Sequence, residues 1–342
     1  MPRALIIGPD FYNFNDAVSR AFFYQAGYDD VRTVAYGTPV DPYDIGNKLG
    51  FKFAPDKEAY RVRNRQRRQG YYRDIFDVHK PDVVFILNGE ILLPDTLDYF
   101  CSKARVALWC FDSVKHVPAI GNHIDHVDRF YCYDKGDIEY YASLGKQALF
   151  LPQAADTAVY RPLPGAEKDI DILFVGDVYH SPRRQKYIAG VIDAFPDKKI
   201  KIVGIYKPWY KNPLKALLRE RRDIYTNRNV RPAEVNALYN RARVVLNIHN
   251  EQQTDGANPK VFEISASGAY QVCDANPYLQ GLFPGGEIGL YDNMDRMIGL
   301  VKEALEGDMS SRAAAARDKV LEGHTFGTRI AKVIEDLNNI DK

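Results

Sequence analysis

Cysteine is scarce in this chain: Cys101, Cys110, Cys132 and Cys273 are the whole complement of 342 residues, and none of their spacings is that of a metal site. Three stand in apolar, strand-like contexts (LWCF, FYCY, YQVC), so buried reduced thiols are expected. Long apolar runs are missing too, and nothing approaches the roughly 20 residues that span a bilayer. The start, Met-Pro-Arg-Ala-Leu-Ile-Ile-Gly, is interrupted too soon for a signal peptide. A soluble, cytoplasmic protein is the expectation. Net charge is almost absent: 46 basic and 45 acidic side chains leave +1, which gives no general attraction to nucleic acid. No GxGxxG follows the first strand pattern, where Gly8-Pro9-Asp10-Phe11-Tyr12 stands instead, so the usual dinucleotide site is disfavoured.

What the chain does have is apolar content and tyrosine. Hydrophobic residues make up 46%, enough for a sizeable core, and 23 Tyr stand against 17 Phe and 2 Trp. A tyrosine buries its ring and keeps its hydroxyl on water or a polar ligand, which suits a wet binding cleft or an interface. The length predicts two domains or one large one.

Short apolar runs alternate with helical patterns almost from end to end, the mark of parallel α/β layers. The first half offers strands at Ala4–Ile7, Val31–Ala35, Val83–Leu87, Val106–Cys110, Phe130–Cys132 and Ala148–Leu151, with a long helix from about Asp56 to His79. A Pro-rich linker, Pro152 to Lys168, follows. The alternation restarts at Asp171–Val175, Lys199–Val203, Val244–Ile248, Ala269–Cys273 and Ile288–Tyr291, and from Met294 the pattern is helical to the end. The fold expected is α/β, two Rossmann-like doubly wound halves facing a cleft. Their bounds are 1–160 and 161–322, with a final helix in 323–342 packing back toward the first half.

Two helix starts at strand ends carry the clearest site signal. In the first, Gly176 frees the backbone, Ser181 caps, Pro182 opens the helix, and Arg183 and Arg184 add cations where the helix end already favours anions. In the second, after VVLNI, His249 leads to Asp255, the cap Asn258, Pro259, the cation Lys260 and, one turn in, Glu263, a carboxylate suited to a ribose diol. Together they point to a diphosphate-bearing ligand, although well-capped helices with solvated charges would look the same. In the first half Asp10, Glu90, Asp112 and His116 follow strand ends and are candidate general bases, with Asp112 preferred because it directly follows the apolar strand VALWC. Two basic runs, Arg61–Arg68 and Lys207–Arg231, read as solvated helix faces. The second also suits an anionic membrane surface or an anionic acceptor. His123, Asp125 and His126 lack metal partners at recognised spacing and are assigned to surface structure.

Several segments resemble a known family. Leu151 to Pro162 resembles the linker LP-x-G-x-D-x-x-x-F-x-P, with Ala154 in place of the glycine; Leu238 to Gly268 resembles Y-x-x-A-K-I-x-L-N … N-x-R-x-F-E-x-x-A-x-G, with Lys260 in place of arginine; His324 to Arg329 resembles H-T-Y-x-x-R. The chain is similar to glycosyltransferases of the GT-B fold, in the pattern of the spore-maturation CgeB-like group with its group 1-type C-terminal domain. That resemblance implies a nucleotide-diphosphate sugar bound by the second domain, with Gly176 and Arg184 near the diphosphate, Lys260 neutralising it, and Glu263 on ribose or sugar. It also implies no cofactor and no catalytic metal. The acceptor, a glycan, lipid-linked glycan or protein, would lie on the first domain, with reaction in the cleft. Asp255 and Glu263 stand eight residues apart, like the E-x7-E of retaining families with Asp in first place, so retention and inversion stay open. A nucleotide-sugar epimerase or hydrolase on the same fold is the alternative, and a non-catalytic nucleotide- or glycan-binding module is another.

Overall fold

A computed structural model describes residues 1–9, 13–36, 49–205, 224–250 and 253–340 of the chain. It divides into two compact units, Met1–Pro152 with Phe326–Lys342, and Gln153–Thr325. Each unit is built on its own six-stranded sheet, and every neighbouring pair of strands is parallel.

The first unit holds β1 (Arg3–Pro9), α1 (Phe14–Tyr24), β2 (Asp30–Tyr36), α2 (Lys57–His79), β3 (Val83–Leu87), α3 (Pro94–Cys101), β4 (Arg105–Cys110), α4 (Pro118–Gly121), β5 (Arg129–Cys132), α5 (Lys135–Ser143) and β6 (Leu149–Phe150). The sheet order is β2-β1-β3-β4-β5-β6. All five residues of β3 are buried, as a strand covered on both faces requires. In α2, Asp56 accepts the Glu58 and Ala59 N–H groups at the cap, and Lys80 ends the helix in a left-handed conformation at φ 51. Only the second half of α2 reaches the core, through Tyr72, Ile75 and Phe76; its first half, including Arg61–Arg68, stays outside it.

The second unit runs β7 (Ile170–Val175), α6 (Pro182–Ala194), β8 (Ile200–Val203), β9 (Tyr225–Thr226), α7 (Pro232–Arg241), β10 (Ala242–Asn247), α8 (Pro259–Ala266), β11 (Gln271–Asp274), α9 (Pro277–Leu282), β12 (Gly289–Tyr291), α10 (Met294–Glu306) and α11 (Ser310–Gly323). Its sheet order, β9-β8-β7-β10-β11-β12, is the doubly wound 3-2-1-4-5-6 arrangement. Strand β9 was not anticipated: two residues inside a basic run give no periodicity to read. Most of that run, 206–223, lies outside the described residues.

The stretch expected as a linker is packed into the second unit. Ala155 is buried and bridges to Thr325. Asn236 and Asn240 accept the Arg161 and Leu163 N–H groups at 3.1 and 2.7 Å, so side chains of α7 take the hydrogen bonds a proline-rich segment cannot make with itself.

The last helix, α12 (Phe326–Asn338), belongs to the first unit. Phe326 meets Trp109 and Phe14 at 5.9 Å between ring centroids. Arg329 donates to the Pro152 carbonyl at 2.8 Å, and the Tyr131 hydroxyl donates to Asp336 at 2.9 Å. Burial, with Asp336 beside it, holds the Tyr131 phenol well above its usual range.

Gly204 marks a backbone crossing in the second unit. Its φ is +138, and a Cβ there would lie 2.1 Å from the Gly176 carbonyl oxygen. Gly27, at φ +72, has nothing within 4 Å of such an atom. Gly204→Ala is therefore expected to lower stability by roughly 2–4 kcal/mol, against about 1 kcal/mol for Gly27→Ala, read from urea midpoints. Equal losses at the two positions would refute the crossing as the cause.

Candidate functional site

In an open parallel sheet the strand-end loops separate where the strand order reverses, and ligands bind there, beyond the carboxyl ends of the strands. In the second unit this point lies between β7 and β10. The loop after β7 leads into α6, where Ser181 Oγ accepts the Arg184 N–H at 3.2 Å and Pro182 occupies the first turn. The loop after β10 leads into α8, where Asn258 Oδ1 accepts the Val261 N–H at 3.1 Å. Both starts are thus capped as the residue types predict, and both present helix N-termini, with their positive dipole ends, at the reversal.

The candidate donor-site residues divide by what they hold. Gly176 is hemmed by Phe174, whose ring would meet a Cβ at 3.1 Å, and its N–H donates to the Val203 carbonyl. Arg184 donates through Nε to the Ile248 carbonyl at 2.8 Å and through Nη1 to the Asp177 carbonyl at 2.9 Å, tying the ends of β7 and β10 together. Arg183 lies 3.2 Å from Asp274 Oδ2. Asp255 accepts the Tyr278 N–H at 2.6 Å in the first turn of α9, while Asn276 donates back to the Gly256 carbonyl at 2.7 Å. These contacts fix the loop before α8.

His249 is buried at the centre. Its backbone N–H and its Nδ1 both meet Asp274 Oδ1, at 2.8 and 2.9 Å, and the Asn258 N–H points at its Nε2 at 3.3 Å. With Nε2 accepting, the ring proton resides on Nδ1. Burial alone would raise the Asp274 carboxyl, but His249 and Arg183 outweigh it and hold the group below the usual carboxylate range. The His249, Cys273 and Asp274 ligand atoms lie within 4.8 Å of one another. Both imidazole nitrogens are already engaged, and burial, reinforced by Asp274, pushes the Cys273 thiol far up. The trio therefore reads as a hydrogen-bonded prop under the loop.

Lys260 and Glu263 share α8. Burial drives the Glu263 carboxyl up to about 7, while Lys260 and the Tyr160 hydroxyl oppose that rise and Asp156 adds to it. Tyr160 and Asp156 come from the segment after Pro152, where the resemblance places a D-x-x-x-F motif. The sequence shows the motif but not its place beside Glu263. Asp274 and the amide network of Asn247, Asn258 and Gln271 went unrecognised. Asp274's position directly after YQVC was the available signal.

In the first unit, Glu90 and Asp112 follow the ends of β3 and β4 around the Asn88-Gly89 turn, whose residues have φ 58 and 77. Asn88 donates to Asp112 Oδ2 at 2.8 Å and accepts the Phe111 N–H at 2.7 Å. The Tyr36 hydroxyl lies 2.7 Å from Glu90 Oε2 and 3.0 Å from the Leu87 carbonyl, and burial followed by Glu90 keeps that phenol well above its usual range. His116 is exposed on the turn after β4. Asp10 lies outside the described residues. His123 corrects the surface assignment: it is buried, and its Nε2 lies 2.9 Å from the Gly89 carbonyl, so it supports the same turn.

Residues 183–335 match the model of the glycosyl transferase-like family, a span that opens at Arg183, the second residue of α6, and includes α8. No curated protein matches the chain. Among solved structures it is similar to the sucrose-phosphate synthase of Thermosynechococcus elongatus, with 11% identity over 99% of both chains and a TM-score of 0.71. It is also similar to the α,α-trehalose 6-phosphate synthase of Burkholderia multivorans, with 12% identity over 99% of this chain and 96% of that one, TM-score 0.66. Anabaena HepE, solved in complex with UDP, is 11% identical over 99% and 100% of the two chains, TM-score 0.65.

The fold is that of the GT-B glycosyltransferases. Within this GT-B chain the family match supports glycosyl transfer as the chemistry. Among the described residues no helix is long and apolar enough to cross a membrane.

The raised Glu263 group has a consequence for stability. Folded, it stays protonated up to about pH 7, whereas the unfolded chain ionises it near 4.5. The folded state therefore binds the extra proton between those values, and stability falls as pH rises through that window. Glu263→Gln should remove this dependence and stabilise the protein at pH 8 by roughly 1–3 kcal/mol, with the gain fading by pH 5. Thermal midpoints at the two pH values check it; a gain that is the same at both would rule out the proton as its source.

Proposed function

We propose that the chain is a glycosyltransferase that moves a hexosyl or related group from a nucleotide-diphosphate sugar to a glycan, lipid-linked glycan or protein acceptor. The observation that carries this is the family match over residues 183–335, because it includes the start of α8 and, from Arg183 on, the helix α6 that opens at the strand-order reversal of the second unit. The motifs from Leu151 to Pro162 and from Leu238 to Gly268 favour the CgeB-like group within that class.

In this reading the second unit binds the donor. The N-termini of α6 and α8, with Lys260, face the diphosphate and stabilise the charge that develops on it as the glycosidic bond breaks. Glu263 receives ribose or sugar hydroxyls. Arg184, Arg183 and His249 act through the loops they hold: Arg184 donates to two carbonyls, Arg183 meets Asp274, and His249 meets Asp274 and the Asn258 N–H. The charge stabilisation comes from the protein, so no metal is assigned a role. The first unit binds the acceptor, and Asp112, kept in place by Asn88, takes the acceptor proton, with Glu90, His116 and Asp10 as the other bases at strand ends.

A thermal-shift panel of UDP, GDP, dTDP, ADP and CMP identifies the base, because a ligand bound only by the native state raises apparent stability. With that nucleotide, Lys260→Ala and Glu263→Ala are each expected to weaken binding about tenfold or more in a folded protein. Unchanged affinity in both variants would overturn the donor site. Asp112→Asn should lower kcat by roughly 10²–10⁴ with nucleotide affinity intact, and turnover should persist in EDTA. Full activity of Asp112→Asn would remove that residue from the chemistry.

A further inference from the structure

Glu263 sits in the second turn of α8 almost wholly covered, at 6% exposed, and Tyr160, from the segment after Pro152, is covered to the same degree. The Tyr160 hydroxyl is the hydrogen-bonding side chain at the Glu263 carboxyl. In the motif that this segment resembles, a phenylalanine holds that place, so the ring is shared and the hydroxyl is not.

Tyr160 is aimed by the backbone on both sides of it. Its N–H donates to the Asp156 carbonyl at 2.8 Å, the Arg161 N–H donates to Asn236 Oδ1 at 3.1 Å, and Asn240 donates to the Arg161 carbonyl at 3.0 Å. The Ser267 hydroxyl, just past α8, lies 2.7 Å from the same Asn236 Oδ1 and 2.8 Å from the Glu263 carbonyl. A Cβ on Gly268 would meet Pro162 at 3.3 Å. One amide of α7 thus joins the residue after Tyr160 to the helix that carries Glu263.

The charges around the carboxyl come from several elements. Lys260 stands in the first turn of α8, and Asp156 belongs to the Tyr160 segment. Helix α7 brings Tyr239, its ring 6.2 Å from that of Tyr160; α11 brings Arg317, beside Gly268; and His324 stacks on Phe262 at 5.2 Å. Strands β10 and β11 lead to His249 and Asp274, which act at the start of α8. Burial outweighs Lys260 and Tyr160, so without a ligand the group keeps its proton up to about pH 7. A protonated carboxyl has an O–H of its own to place. An ionised one offers about four lone-pair sites, enough for Tyr160 and both hydroxyls of a vicinal diol.

We propose that a ribose diol binds Glu263 only as the carboxylate, and that Tyr160 is the positioning residue that holds the carboxylate ready for it. The proposal rests on the donor reading above and adds that donor binding releases a proton. That proton passes from Glu263 to water or buffer, and no other covalent bond changes.

The probes are UDP-glucose, GDP-mannose and ADP-glucose. Both of their phosphates are diesters and hold their charge, unlike the terminal phosphate of a free nucleotide, which titrates near roughly pH 6. Each is titrated calorimetrically into the full chain at pH 5.5, 7 and 8.5, in two buffers of different ionisation enthalpy. The sugar nucleotide that binds should do so about tenfold or more tightly at pH 8.5 than at pH 5.5, and should release close to one proton at the lower value. Tyr160→Phe keeps the ring and should move the midpoint of that rise upward, weakening binding several-fold at pH 7 and little at pH 8.5. A role limited to packing would leave the midpoint in place. Glu263→Gln should lose the slope and the proton release together. An unmoved midpoint in Tyr160→Phe, or a slope retained in Glu263→Gln, would overturn the proposal. Binding that ignores pH and releases no proton would overturn it as well, and would leave the donor site standing. A chain that binds none of the three at any pH would refute the donor site itself, and the coupling with it.

Discussion

A buried carboxylate organises the second unit's strand ends. Asp274 closes β11, yet its oxygens serve the His249 N–H, the His249 ring and Arg183, which belong to the loop after β10 and the first turn of α6. Taking such a charge out of water costs several kcal/mol unless partners surround it, so the three elements are held to one arrangement. His249 then passes the constraint to Asn258, whose side chain caps α8 and joins the Asn247 and Gln271 amides across the sheet. The direction in which α8 points its first N–H groups follows from where Asp274 sits.

Where the sequence was readable, the reason was a local rule with little competition. Val83–Leu87 could be bounded to the residue because a fully apolar run flanked by polar turns allows little else. The starts at Ser181-Pro182 and Asn258-Pro259 followed from cap chemistry, which acts within four residues. Contacts made across the fold were not readable in this way. His123 looks like a surface residue in NHIDHVD but reaches the carbonyl of Gly89, distant in sequence. The segment after Pro152 looks like a spacer, and only the fold shows its amides bonded to α7 and Tyr160 beside Glu263. The two arginines after Ser181 illustrate a related limit. Residue type predicted cationic forks, but each guanidinium meets partners supplied by other strands.

Structural similarity at 11–12% identity with TM-scores of 0.65–0.71 means that the architecture persists while nearly every side chain differs. What the chain keeps is the arrangement of strand ends and helix starts, which depends on topology and capping rather than on particular core residues.

The return of α12 to the first unit bears on how the protein is made. Trp109 and Tyr131 are wholly buried, yet the ring and carboxylate of Phe326 and Asp336 that meet them follow the whole second unit in the chain. During translation the second unit, contiguous from Gln153 to Thr325, emerges complete before the first unit has its last helix. Of these two units, the one that is translated first is thus completed second, and until α12 arrives it must wait with part of its apolar surface open.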